Sequence, residues 1–418
     1  MERKDSDDTL KSQDLESSLD ISNLLYLEKK ESNVVTERSQ KITYADSPVN
    51  DSGVGGGGTI ILNLQTGSDY ISTKDSYLRC IFQAFTSVGG VPDADLTFGT
   101  FGTVLNCFKT VRVISRSGDV VAQIDSANLL NYYKVNYEHT TQWKDQQGFL
   151  LGYGSGTLNA SPTEFLIPLQ LICPFFESEE LLPSMLCRGM RLELTLESAL
   201  IALVQNVDTN PVATYSLSGV QLHLDSYTLT SGAVNWLNDR SANNGLVLTY
   251  FDYENSHFSK EAGVTSYAYE SRKTASMANS VVTIFRNERA DERKADSFVS
   301  RTTGGLDSFQ YRVSSLYLPI QPLVGKKSAY NQTQYVLDKL RSGRELGVTL
   351  GNFDDLGLMP AILDRYWLDG SGLAINNSTT LVIQGSQTAA VIAAQDVDMF
   401  LKHTRSLTIF LQNIRRSS

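Results

Sequence analysis

Histidines are the residues of this chain best suited to bind a metal or transfer a proton, and they are scattered. His139, His223, His257 and His403 each lack a second histidine within five residues. Zinc sites draw on clustered nitrogen and sulfur ligands, so we interpret these four as ordinary core or surface residues. The sequence therefore predicts no catalytic residues, no metal ligands and no cofactor-binding residues.

The cysteines are equally dispersed. Cys80, Cys107, Cys173 and Cys187 form no CxxC pair. Four cysteines in 418 residues do not make a disulfide framework, so we expect reduced, buried thiols. Such cysteine usage indicates folding inside a cell.

A glycine cluster near the start of the chain satisfies a phosphate-binding pattern only formally. Gly53, Gly55 and Gly58 fit GxGxxG, but the phosphate-binding version follows a strand and opens a helix, where backbone N–H groups meet the helix dipole. Here a polar segment precedes the glycines and the apolar stretch TIILNLQ follows them. We therefore predict a flexible hinge.

Acidic pairs provide the remaining candidates for chemistry. Asp93 with Asp95, and Asp354 with Asp355, do not continue into a calcium-binding loop pattern, so we interpret them as loop carboxylates. A carboxylate pair for glycoside hydrolysis stays open, because its spacing is set in space and not along the chain. A carbohydrate-active enzyme or lectin would pair carboxylates with exposed tryptophan, and the chain has three: Trp143, Trp236 and Trp367.

The overall composition is that of a globular protein. Hydrophobic residues make up 41% of the chain and charged residues 20%, which suffices for large cores. The net charge of −10 argues against a basic nucleic-acid-binding domain. No apolar run is long enough for a transmembrane helix, and the start MERKDSDDTLKSQDLESS is too polar for a secretory signal.

Residues 1–58 are predicted to be a flexible acidic arm. Residues 1–51 hold 12 acidic and 7 basic side chains, a net charge of −5, which is half of the excess. Apart from the apolar segment at residues 21–27, which could dock as an anchor, the arm cannot bury enough surface to offset its ordering entropy.

Period-two patterns dominate from Thr59 onward and predict an all-β protein. Leucines alternate with Arg191, Glu193 and Thr195, so one face of this strand is wet and the other buried. SRSGD at residues 115–119 predicts a hairpin turn. Turn residues around 229–245 predict a linker between two β domains, residues 59–235 and 236–418, each the size of an eight-stranded sandwich. Short helices are predicted at 126–133, 177–186 and 327–343.

The stretch FQYRVSSLYLPIQPLVGKKSAY, residues 309–330, combines a strand with a proline corner. Phe309, Tyr311 and Val313 alternate with polar residues, as in a half-buried strand. Pro319 and Pro322 then interrupt an apolar run, and a helical pattern follows. We predict that the prolines end sheet pairing and protect an edge, and that the helix covers what the strand leaves open.

Three stretches carry a resemblance to a known family: residues 164–199 (FLIPL…PFF…LLP…RLELTL), residues 215–229 (YSLSGVQLHLDSYTL) and residues 309–340. Together they resemble the double jelly-roll major capsid proteins of the adenovirus-like lineage, in particular those of Polinton-type elements, polinton-like viruses and virophages. The resemblance covers roughly residues 59 to 416. It implies two consecutive eight-stranded jelly-roll barrels with short loop helices.

The same resemblance implies a structural role. Three copies are expected to form a homotrimer, a pseudo-hexagonal capsomer of an icosahedral virion shell, with neighbouring capsomers, penton and minor capsid proteins as partners. Large loops at 131–163 and 250–280 are expected to form towers or clasps between subunits. We expect no direct binding to nucleic acid and leave contact with an inner membrane open. The alternatives are a β-sandwich carbohydrate-binding protein or glycoside hydrolase, and another virion component such as a penton or spike.

Overall fold

The structure is a computed structural model of the whole chain, and it describes the following residues: 34–45, 49–50, 58–64, 67–86, 96–99, 101–154, 161–178, 181–205, 213–287, 306–337, 345–351, 353, 358–363, 372–376, 379–387, 394–410 and 414–417. The predicted anchor at 21–27, two of the hinge glycines, both aspartate pairs and Trp367 lie outside these residues. The described part is mostly β-strand, with short helices between the strands.

The strands fall into two sets. The first set is β1 (Val35–Tyr44), β2 (Val49–Asn50), β3 (Thr59–Asn63), β4 (Tyr70–Thr86), β5 (Leu96–Thr97), β6 (Phe108–Ile114), β7 (Val120–Ile124), β8 (Thr163–Pro168), β9 (Arg191–Leu196), β10 (Val204–Gln205) and β11 (Ala213–Leu229). The second set is β12 (Leu246–Lys260), β13 (Ser266–Ser271), β14 (Ala275–Asn287), β15 (Leu306–Val313), β16 (Leu316–Val324), β17 (Leu358–Ile362), β18 (Leu373–Ile375), β19 (Leu381–Gln387), β20 (Gln395–Ile409) and β21 (Ile414–Ser417).

The helices are short. They are α1 (Ala127–Tyr133), α2 (Thr141–Gln146), α3 (Leu169–Ile172), α4 (Ser184–Cys187), α5 (Ala199–Ala202), α6 (Ser231–Asn243) and α7 (Gly325–Val336). Single turns of 3₁₀-helix occupy Val104–Cys107, Gly148–Leu151 and Pro174–Glu177. One turn of π-helix occupies Lys134–Glu138. No helix in the described part of the chain is long and apolar enough to cross a bilayer.

In each set, eight main strands form a barrel of two antiparallel sheets with the same strand order, and the short strands β2, β18 and β21 pair beside them. In the first barrel the sheets are β1-β11-β4-β8 and β3-β9-β6-β7; in the second they are β12-β20-β14-β17 and β13-β19-β15-β16. If the eight main strands of each barrel are counted along the chain, both barrels read 1-8-3-6 and 2-7-4-5. This is the order of a jelly roll. The predicted fold, two consecutive eight-stranded jelly-roll barrels, is confirmed.

Strand alternation fills each barrel as predicted. In β9 the three leucines are buried and Arg191, Glu193 and Thr195 are not. The residues predicted to form the 115–119 turn close it with a hydrogen bond from Ser115 N–H to the Asp119 carbonyl, and Gly118 has the positive φ that such a turn requires. The buried apolar residues of both barrels form one continuous core.

The prediction of a flexible arm over residues 1–58 is wrong for β1. This strand pairs along almost its full length with β11 and is the first strand of the first barrel. Its charged residues made the segment look disordered in the sequence. In the fold these charges are paired: Arg38 binds Asp225 on β11, and Lys41 forms an ion pair with Asp69. Gly58 is likewise not a hinge, because its carbonyl accepts a hydrogen bond from Leu196 N–H at the end of β9.

The predicted linker around 229–245 and the boundary at 235/236 fall on a helix. Helix α6 joins the last strand of the first barrel to the first strand of the second. Serine, asparagine and aspartate residues made this segment look like a turn, yet its buried Leu237 and Ser241 tie it to the core. Ser241 donates a hydrogen bond to the Ile409 carbonyl at the end of β20.

Other local predictions need correction. Residues 250–280 are not a loop, because most of β12, all of β13 and the start of β14 occupy them. The stretch ELGVTL at 345–350 has no strand structure, although it lies in the region predicted to be all-β. The helix predicted at 177–186 is instead a turn and the short α4, with Leu182 bridged to Ile71 between them. The predicted helices at 126–133 and 327–343 correspond to α1 and α7.

The proline-rich stretch at 309–330 is a hairpin and not one strand. β15 turns at residues 314 and 315 into β16, and Ser314 adopts a positive φ there. Phe309, Tyr311 and Val313 point into the second barrel as predicted. Pairing stops after Leu318 and resumes at Leu323, so both prolines lie in a bulge. Helix α7 then begins directly after β16.

Candidate functional site

The four histidines occupy four different environments. His139 stacks on Trp143 at 3.8 Å between ring centroids, and His223 stacks on Tyr77 at 4.6 Å. His403 is buried in β20, and His257 on β12 is half exposed. No group of three or more histidine, cysteine or acidic side chains is arranged to hold a metal among the residues that the structure describes.

The cysteines are buried in the core, as predicted, and all four are free thiols. Burial raises the pKa of the Cys80 and Cys173 thiols to about 12. A thiol with such a pKa stays protonated at neutral pH and is a poor nucleophile. These cysteines therefore act as small apolar core residues.

One polar cluster joins three strands of the second barrel. Asp398 on β20 is buried, and its carboxylate lies 3.1 Å from Nδ1 of His257 on β12 and 2.6 Å from an Arg286 guanidinium nitrogen on β14. Burial alone raises the pKa of Asp398, but the hydrogen bond with His257 and the charge of Arg286 outweigh it and hold this pKa below its ordinary value. The hydrogen bond with Asp398 raises the pKa of His257. The cluster fastens the strands together.

The contact between the two barrels is formed by the edges of their sheets. β12, an edge strand of the second barrel, lies against β7 and the Pro174–Glu177 turn of the first. Tyr250 on β12 donates a hydrogen bond of 2.8 Å from its hydroxyl to the Val121 carbonyl on β7. Its ring meets Phe175 edge-on at 5.0 Å. An exposed edge strand can pair with strands of other molecules. In this contact, side chains of the first barrel pack against the edge strand β12.

A buried lysine joins the barrels at a second point. Nζ of Lys144 in α2 donates hydrogen bonds to the carbonyl of Asn136 at 2.6 Å, in the first barrel, and to that of Gly347 at 2.8 Å, in the second. Burial lowers the pKa of Lys144 to about 8. Nearby, Tyr137 of the first barrel packs edge-on against Phe353 of the second at 6.4 Å. The predicted loop 131–163 thus holds three helical segments and packs on the second barrel.

Large apolar side chains remain exposed on two other strand edges. β1 ends the sheet β1-β11-β4-β8 and exposes Ile42 and Tyr44. β16 ends the sheet β13-β19-β15-β16 and exposes Tyr317, Ile320 and Val324. Exposed apolar groups that gather along one edge are typical of a surface that binds another protein.

The sequence did not reveal these features. The signal for the buried lysines was weak, although Lys134 follows the apolar helix α1 directly and forms an ion pair with Glu177. The sequence of β12 did not predict that its edge faces another barrel, because Tyr250 and Asp252 fit the pattern of an ordinary amphipathic strand. Contacts between barrels depend on residues more than a hundred positions apart, such as Tyr250 and Val121.

Comparison with known proteins supports the fold. No protein-family model matches this chain, and no curated protein matches its sequence. Among solved structures, PBCV-1 VP54, as fitted into a reconstruction of the virophage Sputnik, is similar with a TM-score of 0.61 and 12% identity over 94% of this chain and 99% of that one. The Faustovirus major capsid protein gives 0.59 and 9% over 91% and 92%, and the mavirus major capsid protein 0.54 and 10% over 93% and 91%. The chain shares their double jelly-roll fold.

Proposed function

We propose that this chain is a major capsid protein that assembles as a homotrimer into pseudo-hexagonal capsomers of an icosahedral virion shell. The observation that carries the proposal is the repeated barrel. Two jelly rolls with identical strand order lie side by side through a buried edge contact, over nearly the full length of the similar capsid proteins. Three such chains supply six barrels, the number that a pseudo-hexagonal tile needs.

The barrel contact makes the chain a stiff building block. Tyr250, Phe175 and Lys144 fix the second barrel against the first through buried contacts. A rigid unit gains the most from symmetric assembly, because little conformational entropy is lost when it binds. Weak contacts between neighbouring tiles then become firm through the many simultaneous contacts of a closed shell.

The proposed role includes no enzymatic activity. In this proposal the protein is synthesised and folded in the host cell and becomes part of the virion. Its partners there are neighbouring capsomers, penton and minor capsid proteins. Its net charge of −10 argues against direct binding to packaged nucleic acid. A penton or a carbohydrate-active protein was an alternative from the sequence, and no observation on the described residues favours either one.

Mass measurement by light scattering on the purified full-length chain tests the proposal. We expect three times 46.1 kDa across the micromolar range. Negative-stain microscopy of the same sample should show hexagonal outlines. A monomer at all of these concentrations would contradict the proposal, and five-fold particles would favour a penton instead.

A further inference from the structure

The identical strand order gives every main strand of the first barrel a counterpart in the second. β7 and β16 are the fifth strands of their barrels and end the order 2-7-4-5, and β1 and β12 are the first strands and begin the order 1-8-3-6. Within the chain, β7 of the first barrel lies against β12 of the second. The counterpart of this contact is β16 of the second barrel against β1 of a first barrel.

Large apolar side chains are exposed on the counterparts of the two strands that the internal contact joins. The second residue of β7 is Val121, which is 2% exposed at the barrel contact, whereas the second residue of β16 is Tyr317, which is 40% exposed. The eighth residue of β12 is Tyr253, 3% exposed, whereas the eighth residue of β1 is Ile42, 45% exposed. Residues at the internal contact are thus buried, whereas the counterpart strands β16 and β1 expose large apolar side chains.

We infer that β16 of one copy packs on β1 of the next copy, so that the contact between barrels inside the chain is repeated between chains. The inference rests on the proposed trimer and names its interface. Such a contact is head-to-tail: each copy offers β16 to one neighbour and β1 to the other. Head-to-tail contacts form a closed ring when the rotation per copy is right, and alternating internal and external contacts then give six similar barrel junctions.

Ile320 has the exposure and the fixed position that the centre of this contact requires. It is 85% exposed, at the bulge between Leu318 and Leu323 where β16 leaves its partner strand. The buried Gln310 side chain donates hydrogen bonds to the carbonyls of Pro319 at 2.9 Å and Ile320 at 3.1 Å. The bulge is therefore held in place before binding, and a preorganised apolar side chain loses little entropy when it is buried.

The prolines of the bulge also determine the kind of contact. Pro319 and Pro322 have no N–H to donate, so this part of β16 cannot extend a sheet into the next copy. The interface is consequently one of side chains, as at the internal junction, where Tyr250 reaches β7 through its hydroxyl group. Apolar side chains on both edges, Ile42 and Tyr44 on β1 and Ile320 on β16, match in chemistry.

Disulfide trapping tests this interface on the full-length protein. Ile42→Cys or Tyr44→Cys is combined with Tyr317→Cys, Ile320→Cys or Val324→Cys, and each pair is oxidised and run on a non-reducing gel. The four native cysteines are buried and do not compete. Because a disulfide requires Cα atoms within about 7 Å, we expect dimer and trimer bands from at least one pair. The single variants and a control pair, Trp236→Cys with Ile320→Cys, should stay monomeric on the gel, because Trp236 is exposed on helix α6 and outside both strands.

A charge at the centre of the interface gives an independent readout. Ile320→Asp should weaken trimer association by at least about tenfold, as for a buried interface anchor. Trp236→Asp, at an exposed apolar residue outside β1 and β16, should leave the mass unchanged. A stable trimer that no pair cross-links, and that Ile320→Asp does not weaken, overturns this interface and leaves the capsid proposal intact. A monomeric unsubstituted protein overturns both.

Discussion

Acid should destabilise the second barrel through His403. This imidazole is 2% exposed on β20, where burial, reinforced by the charge of Arg405, lowers its pKa to about 3. In the unfolded chain it titrates near 6.5. Between these two values the unfolded state binds the proton and the folded state does not, so stability falls as pH falls below about 6.5. The loss approaches about 1.4 kcal/mol per pH unit and amounts to about 2.3 kcal/mol on going from pH 6.5 to 4.5.

A neighbouring carboxyl acts in the opposite direction. Asp252 pairs with His403 across β12 and β20, and burial raises its pKa to about 6 despite the ion pair with Arg405. Below this pH the folded state binds a proton that the unfolded state releases, which stabilises the fold in acid. The effect of His403 must therefore be measured as a difference, with His403→Gln as the matched variant that cannot become charged.

Urea unfolding of both proteins at about pH 7 and about pH 4.5 isolates the histidine. We expect the free energy of unfolding of the unsubstituted protein to fall by about 2.5 kcal/mol more than that of His403→Gln. His257→Gln is a control of opposite sign, since the hydrogen bond with Asp398 raises the pKa of His257 and stabilises the fold while the ring is charged. Equal pH dependence of the unsubstituted protein and His403→Gln would refute the assignment of a buried, neutral imidazole.

Two further predictions concern packing. Phe309→Ala should cost about 3–5 kcal/mol, because the ring is buried in the second barrel, whereas the exposed Arg312→Ala should cost under about 0.5 kcal/mol; urea midpoints in the reverse order would invert the register of β15. Phe175→Ala should cost about 3–5 kcal/mol and Tyr250→Phe about 1 kcal/mol, since the latter removes only the hydrogen bond to the Val121 carbonyl. For both variants, hydrogen exchange should show reduced protection of the backbone amides of β7 and β12. Reduced protection confined to other strands would argue against the barrel contact.

Strands with a regular apolar face were predictable, and those stabilised by distant charges were not. β9 shows three leucines at period two, and β15 shows Phe309, Tyr311 and Val313 in the same pattern. β1 shows Arg38 and Lys41 instead, and their partners on β11 and before β4 are unknown until the strand is paired. A composition that looks disordered can therefore form a strand when each charge meets an opposite charge in the fold.

The proline corner shows how far local reasoning reaches. Proline in β16 correctly predicted an interruption of pairing, because it lacks the N–H that a ladder requires. The local pattern could not show that pairing resumes at Leu323, since this depends on Phe309 on the neighbouring strand. It also gave no sign that Gln310 would be buried and would hold the bulge through two carbonyls.

The edge strands determine how such a chain can assemble. Whether an edge strand is covered depends on the neighbouring barrel and not on the sequence of the strand itself. β12 and β1 are equivalent first strands, yet the first barrel packs on β12 through Tyr250, while β1 exposes Ile42 and Tyr44. A single barrel would have to protect all of its edges with charges, prolines or bulges. A chain with two barrels covers one edge internally and keeps an equivalent edge free, and the proposed contact with another copy would cover Tyr44 on β1 and Ile320 on β16.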